Sequence, residues 1–417
     1  MSDQKYTERV VNVPPATQRH FANGSWLSFA SLGLYALNRL YAWWSSVINY
    51  LNYGLLYLFL GGVPPTYHTR PRPKYGYTPA VFVTGAHDGI GRSIAFTLAE
   101  SGYAVFAGVK NAEDIEDLNL RFEEYRNALR ASPTGTQILG SLTPVVCDVL
   151  DPSSIQSAVR AVTNAIASDW KAKPFVSVVN VAGFCMVSPM ELTSREDILR
   201  MMNLDLMAYI DVTKAFFPLL KRFQGRVVNV GSFGGFAPVP GWTTYNAVKS
   251  GIENLTRAWS LETSRTHGIR MATVRPGFVA TAGIGPKIAQ AIASYESSDT
   301  AIGFDSLGNA LLPDAQPRSD DEKADVQSAG EYPSASAGRP NAWRDYEKMM
   351  RRNREMVELS MELGTPEVNV GKTVRDALTE PWMQPVYTVG VDALLRQMAR
   401  DLLPEPLYEW AVLKVFT

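Results

Sequence analysis

Cysteine is nearly absent from this chain: 417 residues hold two, Cys147 and Cys185. Both fall in apolar stretches and read as buried thiols, which excludes a disulfide framework or a cysteine metal centre. Histidine is almost as scarce, four in all at positions 20, 68, 87 and 267. They show no ligand spacing, so no metal site is expected. A surplus of one charge is missing too, with 40 Lys and Arg against 41 Asp and Glu. No nucleic-acid partner is expected, because binding a phosphate backbone needs concentrated positive charge. Apolar side chains are plentiful at 46% of the sequence, enough at this length to bury a full core.

Charge is also missing locally. Between residues 20 and 66 Arg39 is the lone formal charge, and "YAWWSSVINYLNYGLLYLFL" (41–60) has none. That run is about long enough to cross the hydrocarbon core of a bilayer. Asn, Ser and Tyr dilute it, and its aromatics suit a water–lipid interface. The segment about 25–66 is therefore expected to associate with a membrane as a transmembrane helix or a shallower insertion. An amphipathic helix packed on the globular part is the alternative. A signal-peptide pattern is lacking. Arg70, Arg72 and Lys74 follow the segment, which favours a cytosolic globular part. The prolines of "RPRPKYGYTP" make it a linker.

From Ala80 the texture becomes apolar runs alternating with helical stretches: "AVFVTG", "YAVFAGV", "LTPVVCDV", "FVSVVNVAG", "GRVVNVGS" and "IRMATVRPG" are strands. "IGRSIAFTLAESG" and "EDIEDLNLRFEEYRNALR" are helices, the first closed by Gly102. Such alternation predicts an α/β fold, a single doubly wound (Rossmann-like), mostly parallel sheet with ligands across the carboxyl ends of its strands. Residues 304–342 are rich in Asp, Ser, Ala, Gly and Pro and are expected to form a disordered insertion. Beyond them, "WRDYEKMMRRNREMVELSMELG" reads as a helix, "PVYTVG" as a last strand and "VDALLRQMARDLLPEPLYEWAVL" as a C-terminal helical extension.

Three loops at strand ends suit a dinucleotide. "VTGAHDGIG" sets Gly85, Gly89 and Gly91, with His87, Asp88 and Ile90 among them, between a strand and a helix. A pyrophosphate needs that tight turn, close backbone approach and open helix N-terminus. Asp148, followed by Val149, ends the third strand, where a carboxylate can accept from adenine; a turn or capping role is equally open. Asn180, Ala182 and Gly183 end the fourth with small residues. The second strand ends in Lys110 rather than an acid that would bond a ribose diol, so NAD and NADP both stay open.

The reacting groups follow. Tyr245 and Lys249 are four apart and share a helix face, and Ser232 closes the strand before them. A phenol with a pKa of about 10 is a poor base until a neighbouring ammonium favours its anion. Ser232 can donate to a substrate oxygen, and Lys249 can bind ribose hydroxyls. Pro276, Gly277, Val279 and Thr281 are placed to cradle a carboxamide, and Asn203 to hold a water beside Lys249 or to serve as a buried packing contact. Phe184, Met186, Phe233 and Phe236 can line an apolar pocket or belong to the core. "GIGPKIAQAIASYESSD" reads as a substrate lid or a core helix.

"TGAHDGIG", "NVAG", Asn203, Ser232, "YNAVK" and "RPG" in this order resemble the short-chain dehydrogenase/reductase family over residues 80–285. The resemblance implies an NAD(P)-dependent oxidoreductase with Asn203, Ser232, Tyr245 and Lys249 as its catalytic residues. Val181 in "NVAG" departs from the family's usual asparagine. "YAVFAGVKN", "FFPLLKRFQGRVVNVGS" and "VYTVGVDALLRQMARDLLP" resemble the branch of 17β-hydroxysteroid, retinol and 3-hydroxybutyrate dehydrogenases. This implies a lipophilic alcohol or ketone substrate, lipid metabolism, a membrane location such as the endoplasmic reticulum or mitochondrion, and a homodimer. A non-catalytic redox sensor and a same-fold lyase, dehydratase or epimerase are the competing readings. The expected divisions are a tail (1–24), a membrane-associated segment (25–66), a linker (67–79), a catalytic domain with lid (80–303), an insertion (304–342) and an extension packing on the domain (343–417).

Overall fold

Runs of Val, Ala and Phe form central strands where a pleated surface is buried on both faces. β1 (Ala80–Val83), β2 (Ala104–Val109) and β5 (Arg226–Val230) have no exposed residue. In this computed structural model the described residues are 78–132, 138–167, 171, 173–281, 303–304, 310–311, 342–380 and 383–416. With β3 (Ser141–Val146), β4 (Phe175–Asn180), β6 (Arg270–Pro276) and β7 (Val386–Val389), these strands build a seven-stranded sheet in the order β7-β6-β5-β4-β1-β2-β3. Every neighbouring pair in it is parallel. The order reverses between β1 and β4, which opens a crevice at the carboxyl ends of those strands.

Helices cover both faces. α1 (Gly89–Glu100) ends where Gly102 takes φ +94°. It packs with α2 (Asp114–Ala131) and α8 (Glu367–Thr379) over a core containing Val81, Ile94, Leu98, Leu118, Val228 and Val374. The opposite core joins Phe82, Phe106 and Val178 to α3 (Pro152–Ala167) and α5 (Ala208–Phe223). There the Phe82 and Phe216 rings stack at 4.5 Å. α4 (Arg195–Met202) leads into α5 through a π-turn over Asn203–Met207. α6 (Thr243–Thr266) precedes β6. α7 (Glu347–Leu363), α9 (Val391–Leu402) and α10 (Glu405–Phe416) contribute Met350, Val357, Ala393 and Tyr408 to a third cluster with Phe233, Val239 and Trp242.

Arg226 binds the C-terminal part to the sheet. Its guanidinium is buried and donates to the carbonyl oxygens of Ala377 and Glu380 at the end of α8. Those are the carbonyls a helix terminus leaves without intrahelical partners.

The doubly wound sheet with C-terminal helices is the fold, and the membrane element expected with it is corrected. Among the described residues no helix is long and apolar enough to cross a membrane. The two described helices of sufficient length carry charge throughout: Asp114, Glu116, Asp117, Arg121 and Glu123 begin the series in α2, and Lys249, Glu253, Arg257 and Glu262 punctuate α6. The expected transmembrane helix, the membrane partner and the endoplasmic-reticulum or mitochondrial membrane location are corrected to that extent: none has support among the described residues, and the segment 25–66 on which they rested lies outside them. No observation supports the expected homodimer. Residues 1–77, the lid segment 283–299 and most of the insertion 304–342 lie outside the described residues.

Candidate active site

Tyr245 and Lys249 occupy the first two turns of α6, and the lysine Nζ lies 5.5 Å from the phenol ring centroid. Ser232 leaves β5 in an extended conformation, and its Oγ accepts from the Gly234 amide at 3.2 Å. A Cβ on Gly234 would meet both Ser232 Oγ and Tyr245 Cδ1 at 3.6 Å, so the structure brings these three side chains together. Burial pushes the Tyr245 hydroxyl well above its ordinary value. Lys249 and Ser232 pull it down, while Cys185 and Asp205 push it further up.

Asn203 does not join them. It is exposed, at the first position of the π-turn. Two residues on, Asp205 is wholly buried, with Oδ2 3.0 Å from Lys249 Nζ and Oδ1 accepting from the Phe184 amide at 2.9 Å. Burial opposes the lysine's charge, but Asp205, aided by Tyr245 and Cys185, holds the ammonium above the ordinary lysine value. Burial likewise pushes the Asp205 carboxyl up, against the pull of Lys249 and the Phe184 amide. Sequence reasoning passed over Asp205, although a signal was present. It is the lone charge between Arg200 and Asp211, and helical spacing places it in line with buried Met201, Ala208 and Tyr209.

The glycine loop has the conformation a phosphate needs. Gly85 takes φ +61° and Gly89 φ +52°, and a Cβ on Gly91 would stand 2.0 Å from the Gly85 carbonyl oxygen. Asp88 precedes α1 and pairs with Arg92 at 3.1 Å, and Ile90 lies in its first turn. His87 turns away to Asp117, 3.0 Å distant. Thr84 Oγ1 accepts from the amides of Val181 and Ala182 at 2.9 and 3.1 Å, joining this loop to "NVAG". A Cβ on Gly85 would sit 2.9 Å from Ala182 Cα, so the two loops meet backbone to backbone.

The other expected ligands divide. Thr281 is buried, and its methyl is 3.9 Å from where a Gly89 Cβ would stand. Pro276 ends β6, and Gly277 donates to Val389 at 2.7 Å with Asp392 pressed against it. Val279 pairs with Thr365. Lys110 is exposed at the end of β2. Asp148 Oδ1 accepts from the Leu150 amide at 3.0 Å, a local turn, and Val149 is buried in the core. Asn180 points inward, donating to Thr213 at 3.0 Å and to Asn229 at 2.8 Å, so its side chain braces the sheet. The apolar pocket divides too: Phe184 and Met186 pack with Met201 and Val248, and Phe233 and Phe236 with Trp242 and Phe278. Tyr245 touches both groups.

The positive-φ glycines, the helix N-terminus and the cradle that a Cβ would fill fit a dinucleotide phosphate. Comparison with known proteins points the same way. Residues 79–292 match the short chain dehydrogenase family. Estradiol 17-beta-dehydrogenase 2 of Mus musculus is 32% identical over 201 residues, 48% of this chain and 47% of that one. Retinol dehydrogenase 5 of Homo sapiens is 32% identical over 203 residues, 48% and 57% of the two chains. The chain spans about half the length of the curated relatives it matches. A short-chain dehydrogenase from Streptomyces avermitilis shares the fold, with a TM-score of 0.52 and 20% identity over 81% of this chain and 97% of that one. The steroid and retinol relatives match equally, so no branch is distinguished. The chain belongs to the short-chain dehydrogenase family of NAD(P)-dependent oxidoreductases.

Proposed function

We propose that the protein interconverts a lipophilic secondary alcohol and its ketone, with Tyr245 as the group that moves the hydroxyl proton. The observation that carries this reading is the convergence of Ser232, Tyr245 and Lys249 beside an apolar aromatic wall. The Phe233 and Phe278 rings lie 5.3 Å apart, and Trp242 meets Tyr245 edge-on at 5.6 Å. Such a wall favours hydrocarbon over a small polar metabolite. The names of the steroid and retinol relatives agree with that class.

The nicotinamide cofactor supplies or accepts the hydride when bound. Gly85, Gly89, Gly91 and the "NVAG" loop would hold it. Tyr245 takes the proton from the alcohol in oxidation and returns it to the forming alkoxide in reduction. Lys249 favours the phenolate by its charge, and Ser232 donates to the oxygen where charge develops.

The purified full chain, titrated with NADH and NADPH by fluorescence and assayed on a panel containing estradiol, retinol and their carbonyl products, tests the reading. Turnover with a lipophilic member is expected. A chain that binds cofactor but turns over no member is a redox-sensing scaffold instead. Product formation without net cofactor oxidation or reduction points to a lyase, dehydratase or epimerase.

A further inference from the structure

We propose that Asp205 is a positioning residue of this site: its carboxylate fixes the Lys249 ammonium beside Tyr245 and sets the pH range over which Tyr245 exchanges its proton. The proposal rests on the proton-transfer reading of Tyr245.

The geometry leaves the carboxylate little freedom. Asp205 is wholly buried, the Phe184 amide holds Oδ1 at 2.9 Å, and Oδ2 lies 3.0 Å from Lys249 Nζ. The neighbouring strand-end loop is cut to fit it. A Cβ at Gly183 would stand 2.8 Å from Asp205 Oδ2, so glycine there is what admits the acid. The π-turn widens the helix at this residue, a local irregularity found often at functional sites.

A buried ammonium without a counter-ion is costly, and removing one partner of a buried pair leaves the other uncompensated. The titratable groups around Asp205 are Tyr209 on α5, Cys185 after β4, and Tyr245 and Lys249 on α6. Lys249 is the cation among them. Tyr209 is occupied in donating to the Val230 carbonyl at 3.2 Å. Asp205 is therefore the carboxylate that answers the lysine. It also faces the phenol, and its charge raises the values of both Lys249 and Tyr245.

The signs follow directly. Asp205→Asn keeps an oxygen for the Phe184 amide but removes the charge. Tyr245 then ionises at lower pH, which moves the acid limb of alcohol oxidation down. Lys249 sheds its proton at lower pH, which moves the alkaline limb down as well. Both limbs are expected to shift by about half a unit or more.

Two measurements on the full chain test this. The first is the pH profile of oxidation of 1-tetralol, a simple lipophilic secondary alcohol, by wild type and Asp205→Asn. The second is thermal unfolding of wild type, Asp205→Asn, Lys249→Met and the double variant between about pH 7 and about pH 10. The pairing is supported if the Tm deficit of Asp205→Asn shrinks as pH rises and the double variant recovers stability. A deficit equal at every pH, or one that Lys249→Met does not relieve, overturns the pairing. Limbs that stay in place while the wild type turns over overturn the role in proton exchange. An inactive wild type defeats the proton-transfer reading instead, and the unfolding comparison still decides the pairing.

Discussion

The indole Nε1 of Trp242 donates to Asn353 Oδ1 across 2.6 Å, binding the entrance of α6 to a helix 111 residues further along the chain. Asn353 is wholly buried, and its Nδ2 donates to the Pro240 carbonyl at 3.1 Å and to Met349 at 3.0 Å. Gly241, between the two residues held, takes φ +82°. One amide from α7 therefore fixes the turn from which Tyr245 is presented. Asn353→Leu keeps the approximate volume and leaves the indole N–H and the Pro240 carbonyl without that partner. The expected loss is about 2–3 kcal/mol in urea unfolding, because buried polar groups are left unpaired. A loss under about half a kcal/mol would show that the amide is not holding the turn.

The sheet was legible because its strands are short apolar runs, most of them ending in glycine or a small polar residue, as in "AVFVTG" and "VVNVGS". α8 was not. "EVNVGKTVRDALT" mixes β-branched residues with a central glycine, and local propensity argues against a helix. Tertiary packing overrides it: a Cβ on Gly371 would stand 2.5 Å from Thr97 Oγ1, so glycine is what lets α8 lie close to α1. Ser232, Tyr245 and Lys249 were legible by type and spacing. Asp205 was hidden because the ion pair crosses from one helix to another, and the polar Asn203 two residues earlier offered a more conspicuous candidate.

Tyr245→Phe removes the exchangeable proton and leaves the ring. Its turnover is expected to fall by roughly 10²–10⁴-fold, the usual worth of a positioned acid or base. NADH binding, measured by fluorescence, should stay within about twofold of wild type, since the loss belongs to the reaction and not to uniform binding. Near-normal turnover would remove Tyr245 from the proton path.

Gly91→Ala places a methyl carbon 2.0 Å from the Gly85 carbonyl oxygen, a distance that the loop must open to relieve. Cofactor affinity should fall at least about tenfold, equivalent to ~1.4 kcal/mol. Gly251→Ala is the contrasting change, because its Cβ meets Leu206 at 3.5 Å, an ordinary contact, inside a helix. That variant should bind normally and gain up to about 1 kcal/mol in stability. Equal affinity for both variants would separate the glycine loop from cofactor binding.

Glu367 opens α8 facing Arg92 and Asp88, and its Oε1 has no hydrogen-bond partner among the described residues. Burial pushes its carboxyl up to about 7, with Arg92 pulling down and Asp88 pushing up. A raised value means that the folded state holds the proton more tightly than the unfolded chain. The associated stability is complete below about pH 4.5 and is lost as pH rises through about 7. The loss is at most about 3.5 kcal/mol. Glu367→Gln stays neutral, so it should match wild type near about pH 4.5 and exceed it by up to that amount near about pH 8. Urea unfolding at both values measures the difference. A gap that is the same at both would show that Glu367 does not change its protonation on folding.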